Sequence, residues 1–165
     1  PVTHAYSLLN QHKRFSAIQN DNPFALEYMN WLGHHEFGLN HKVFDLELSD
    51  LRVHYPKYSM NHWIAVWISY YTNVLSLVDD KNLFLVDYAD LCSKPAELLA
   101  KMGKLLELDL RVDHREPYPE RELSDLELDP ELVRRAESLY HELKKHKIEV
   151  FDQTTDQPVR QNPAD

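Results

Sequence analysis

Apolar positions along this chain recur mostly at helical spacing. From Pro1 to Gln19 the residues Ala5, Leu8, Leu9, Phe15 and Ile18 make one stripe, Pro1 suits a first turn, and Asn20-Asp21-Asn22 breaks the pattern. Asn22-Pro23 predicts the cap of a second helix running to about Leu32, with Phe24, Tyr28, Trp31 and Leu32 as its buried residues, ended by Gly33 to Gly38. The longest predicted helix is Tyr58 to Val78, with Ile64, Trp67, Tyr71, Val74 and Leu75 on one face and Trp63, Tyr70 and Leu77 widening it. Asp129 caps a last helix with Pro130 at its first position; Leu132, Val133, Ala136, Leu139, Tyr140 and Leu143 form its apolar face, and Lys144, Lys145 and Lys147 complement its C-terminal dipole.

One stretch departs from the helical period. Leu83-Phe84-Leu85-Val86 is continuously apolar, too short for a helix, and follows the turn signal Asp79-Asp80-Lys81-Asn82. It predicts a strand buried on both faces, as in a parallel sheet. Pro95 then opens a helix carrying Leu98, Leu99, Met102, Leu105 and Leu106, and Asp87-Tyr88-Ala89-Asp90 falls where the strand's carboxyl end opens. Open α/β sheets bind ligands at that edge. The expected fold class is therefore α/β, mostly helical, with one clear parallel-type strand at 83–86. Residues 39 to 56 show no decisive period and read as an irregular loop, Arg111 to Pro130 as a Pro-containing surface connection, and 151–165 as a disordered polar tail behind a single domain of residues 1–150.

A short apolar strand, then Tyr88-Ala89-Asp90-Leu91, Pro95 four residues on, and a Leu-rich helix ending Leu105-Leu106-Glu107-Leu108 resembles the sulfotransferase family. That family moves a sulfuryl group from 3′-phosphoadenosine 5′-phosphosulfate (PAPS) to an acceptor. Its members usually have Glu where this chain has Ala89 and Gly where it has Glu107. Pro1-Val2-Thr3-His4-Ala5-Tyr6-Ser7 is similar to a second family motif, in which an Arg two residues before the Pro and a Ser six residues after it grip the 3′-phosphate. The resemblance implies that Ser7 contacts the 3′-phosphate and Tyr88 the adenine, with PAPS as co-substrate and a hydroxyl or amine on a small molecule or carbohydrate as acceptor. It also implies that the Arg, the 5′-phosphosulfate loop with its Lys, and the usual base precede Pro1. On that footing the chain is the C-terminal part of an incomplete P-loop-like sulfotransferase domain, inactive alone. A helix serine such as Ser7 otherwise bonds its own backbone. Trp63 and Tyr70 are candidates for acceptor contacts, although an aromatic stripe also serves as core.

Charge and composition narrow the chemistry. A net charge of −9 argues against nucleic acid and anionic membranes as partners. No apolar run is long enough to span a bilayer and no signal peptide is visible, so a cytoplasmic protein is expected. The lone Cys92 excludes an internal disulfide, and Gly33, Gly38 and Gly103 form no phosphate-wrapping cluster. Among ten histidines, His34, His35 and His41 stand near Glu36, which raises a metalloprotein reading. Adjacent histidines point apart, and His35 has no partner three or four residues on, so no metal is expected and the segment reads as a polar loop near a substrate cleft. His4 and His12 titrate in the range of a general base, but they stand beside the 3′-phosphate position rather than at the sulfuryl end. The contrasting expectation is a non-enzymatic helical interaction domain, with four amphipathic helices around one short strand. Acceptor identity and oligomeric state are not legible in the residues.

Overall fold

Asn22 both ends the first helix and starts the second in the computed structural model, which describes residues 1–43, 55–80, 82–110, 123 and 126–148. α1 (Val2–Asp21) stops because Asn22 turns extended; its N–H still donates to the Ile18 carbonyl at 2.9 Å. Its Oδ1 accepts from the Phe24 and Ala25 N–H groups at 3.1 and 3.4 Å, capping α2 (Pro23–Trp31). α2 closes on Gly33 at φ 76°, where Gly33 N–H donates to Asn30 O at 3.1 Å and His34 N–H to Met29 O at 2.9 Å, the paired bonds of a left-handed helix end. The other helices among the described residues are α3 (Met60–Leu75), α4 (Tyr88–Ser93), α5 (Pro95–Leu106) and α6 (Pro130–Lys144).

The chain divides into two compact units, Pro1–Leu83 with Pro119–His146, and Phe84–Tyr118 with Lys147–Asp165. In the first unit α3 packs against α1 and α6, and α1 against α2. Lying between two helices, α3 buries Met60, His62, Trp63, Ile64, Ala65, Trp67, Ile68 and Ser69, far more than one stripe. Each large apolar side chain enclosed in this way contributes about 1.5–3 kcal/mol. α1 instead buries a narrow seam of Ala5, Leu9, His12, Ser16 and Gln19, stepping by four and three residues, and Ile18 from the expected stripe is exposed. The seam thus turns polar in its second half. α6 starts where the sequence places it: Asp129 Oδ1 accepts from Glu131 and Leu132 N–H at 2.9 and 3.4 Å, and Asp129 N–H donates to Asn61 Oδ1 at 2.9 Å, tying this start to α3.

The second unit corrects the expected α/β fold class and its parallel-type strand at 83–86. No strand is present among the described residues; Leu85 makes one isolated parallel bridge to Lys147, and Ile148 N–H donates to Leu85 O at 2.8 Å. A strand needs a ladder, and a single bridge supplies one rung of it. Nor is the run buried on both faces, since Phe84 is 43% and Val86 37% exposed while Leu83 and Leu85 are half-buried. The parallel sheet of an incomplete P-loop-like fold is therefore absent from the described residues. Asp87 caps α4 through an Oδ1 contact with Ala89 N–H at 3.0 Å, and Lys147 pairs with Asp90. α5 buries Leu98 and ends at Glu107, which is left-handed at φ 54°. The chain then reverses so tightly that a Cβ on Gly103 would stand 2.6 Å from Leu108 O. The expected loop over 39–56 lies largely outside the described residues, as do most of the 111–130 connection and the whole 151–165 tail.

Candidate functional site

The sequence-predicted residues fall in different surroundings. Ser7 is exposed on the second turn of α1, a helix whose first turn holds no acidic residue and whose N-cap, Pro1, makes no side-chain bond. Tyr88 belongs to the second unit, where it opens α4 and is 62% exposed. Trp63 and Tyr70 both lie on α3, but Trp63 is fully buried and Tyr70 exposed. Of the two histidines considered as bases, His4 is exposed and its Nδ1 accepts from Trp67 Nε1–H at 3.2 Å, whereas His12 is buried on the α1 seam. His34 and Glu36 sit 3.5 Å apart on the surface, and among the described residues no group of three or more His, Cys, Asp or Glu side chains is placed to hold a metal ion.

The arrangement that sequence reasoning missed is a buried histidine cluster around Trp63. The rings of His12, His41 and His62 lie 5.2, 4.9 and 5.4 Å from the Trp63 ring, with Phe37 stacked on it at 5.6 Å. Trp63 Nε1–H donates to Lys57 O at 2.8 Å. Gly38 allows the loop after α2 to reach this place. It stands at φ 89°, its N–H donates to His12 Nδ1 at 3.2 Å, and a Cβ there would meet Gln19 Oε1 at 2.1 Å. Gln19 Oε1 in turn accepts from Leu39 N–H at 2.7 Å. His41 arrives from the loop, His62 from α3 and His12 from α1, separations that no helical or strand period encodes. Only the polar residues interrupting the α1 stripe at His12, Ser16 and Gln19 hinted that something polar is buried there.

Burial dominates the electrostatics of the cluster. It pushes His62 down to about 4, with the neighbouring charges of His41, His12 and Lys57 acting in the same direction. His12 is likewise pushed down to about 4 by burial, then by His41 and Lys57. His41 is lowered by burial and by Lys57, against the hydrogen bonds that its ring makes to backbone carbonyls. Lys57 Nζ donates to His41 O at 3.2 Å, so a lysine side chain stands beside rings whose charged form burial disfavours. No family model matches the chain, and no curated protein or solved structure is detectably similar to it. Among the described residues no helix is long and apolar enough to cross a membrane.

Proposed function

We propose that this chain supplies nucleotide-binding residues of a PAPS-dependent sulfotransferase acting on a hydroxyl or amine acceptor, on a small molecule or a carbohydrate. The observation that carries the reading is the exposure of both side chains that the resemblance assigns to the nucleotide, Ser7 and Tyr88. A hydroxyl on the first turns of a helix adds a donor to partly positive N–H groups that favour an anion, which suits a 3′-phosphate. An exposed aromatic ring offers a stacking face to adenine. Support of a different kind comes from Glu107: it adopts, at φ 54°, the left-handed conformation that glycine takes without Cβ strain, at the position where the family usually has glycine. The half-buried lone Cys92 fits a reducing, cytoplasmic setting.

Sulfuryl transfer is a loose in-line displacement, in which placed cations and N–H donors stabilise charge on the leaving phosphate while a base takes the acceptor's proton. The residues of this chain answer for holding the nucleotide, since its three glycines build no phosphate cradle. Residues 1 to 165 should therefore bind adenosine 3′,5′-bisphosphate at one equivalent by calorimetry and show no turnover of labelled PAPS. Absence of binding by the folded chain would overturn the reading. A second reading, the non-enzymatic helical interaction domain, is favoured by the exposed aromatic ladder of α2, where Phe24 and Tyr28 stack at 5.8 Å and Trp31 is 80% exposed. Substituting Trp31 leaves nucleotide binding intact under the first reading.

A further inference from the structure

Two buried imidazoles face each other with more contacts than protons. His41 Nε2 and His62 Nε2 are 3.3 Å apart, His41 Nδ1 lies 3.3 Å from His35 O, and His62 Nδ1 lies 3.3 Å from Tyr55 O. A carbonyl oxygen can only accept, so each Nδ1 carries its ring's N–H when it bonds the carbonyl. The two Nε2 atoms then present lone pairs to one another. A neutral pair has two protons for three contacts, so the contact between the two Nε2 atoms has no proton of its own.

We propose that His41 and His62 form a two-histidine site for a borderline divalent metal ion of the zinc type. The geometry points there on two counts. With metal–nitrogen bonds of about 2.0–2.1 Å, the edge of a tetrahedral shell is about 3.3–3.4 Å, which matches the Nε2 separation. Metal-bound histidines also characteristically donate the other ring N–H to a carbonyl or carboxylate, the arrangement both rings already have. A proton between the rings would make one bond and one hydrogen bond. A metal ion makes two dative bonds with the same lone pairs. His12 is not a ligand: its Nδ1 accepts from Gly38 N–H, which leaves the proton on Nε2, a buried atom with no partner. The described residues supply no third His, Cys, Asp or Glu, so the remaining positions go to water or a small anion. The Lys57 ammonium opposes any cation placed here.

The test is independent of nucleotide binding. The full chain, stripped with chelator, is titrated with Zn2+ by calorimetry and with Co2+ by visible absorption. One equivalent should bind with a tetrahedral cobalt spectrum and tighten as pH rises and protons cease to compete. His41→Gln and His62→Gln should each weaken binding at least about tenfold, while His141→Gln, exposed on α6, should not. Because both ligands are buried and their variants could misfold, Lys57→Met tests the site without touching them; it should tighten binding severalfold. The proposal is overturned if the folded native chain binds no stoichiometric metal, or if folded ligand variants bind as before. Unchanged affinity in Lys57→Met overturns it too, as does an Nε2–H signal from the pair that persists at neutral pH in excess Zn2+.

Discussion

α2 and α3 carry the same kinds of side chain and use them in opposite ways. Trp63 and Trp67 on α3 are 1% and 4% exposed, whereas Phe24 and Trp31 on α2 are 70% and 80% exposed, and α2 buries no residue at all. The difference lies in what packs on each helix. Among the described helices, α3 packs against α1 and α6, while α2 packs mainly on α1. An aromatic stripe at helical spacing thus reports that a helix has an apolar face, not that anything covers it. In α2 the three rings cover one another instead, with Tyr28 lying 5.8 Å from Phe24 and 6.3 Å from Trp31.

The largest expected effect tests the buried side of this contrast. Trp63→Ala should cost about 3–5 kcal/mol of stability in urea unfolding, because it empties the centre of the histidine cluster; a loss under about 1 kcal/mol would remove α3 from the core. The same cluster predicts an acid sensitivity. His12 and His62 titrate near 6.5 when unfolded and are held near 4 when folded, so the unfolded chain binds protons first. Stability should be full above pH 6.5 and fall between about 6.5 and 4 in chelated protein, and His12→Phe, which removes one of the two groups, should flatten that fall. Glu107→Gly should raise stability by about 1 kcal/mol, since it relieves a left-handed residue that is not glycine. A measured loss would mean that the Glu107 side chain contributes more than its backbone strain. The smallest effect belongs to the exposed helix: Trp31→Ala should change stability by less than about 0.5 kcal/mol, and a larger loss would show that α2 is covered in solution.

Local signals were legible in the sequence where they were chemical. Asn22-Pro23 and Asp129-Pro130 mark helix starts because a capping oxygen and a proline are both needed at adjacent positions. What failed was inference from apolarity alone. Leu83-Phe84-Leu85-Val86 looked like a strand buried on both faces, yet only one residue of it bridges and two of its side chains are exposed. Burial of Phe24, Tyr28, Trp31 and Leu32 failed for the same reason: among the described residues α2 packs mainly on α1, and all four side chains stay exposed. The histidine cluster left only a hint in the α1 stripe, because His12, His41 and His62 meet through tertiary packing that depends on one glycine, Gly38. Ser7 and Tyr88, picked out by motif, are both exposed.

The proposal that Ser7 and Tyr88 are nucleotide-binding residues is tested most directly by a double-mutant cycle read by calorimetry. Adenosine 3′,5′-bisphosphate is titrated into the native chain, Ser7→Ala, Tyr88→Ala and the double variant. Ser7→Ala should cost about 1.5–3 kcal/mol of binding, as for a hydrogen bond to a charged group, and Tyr88→Ala about 1–3 kcal/mol, as for loss of a stacking face. Because one contact is to a phosphate and the other to a base, the losses should add in the double variant to within about 0.5 kcal/mol. Binding unchanged by either substitution, in folded protein, would contradict the account.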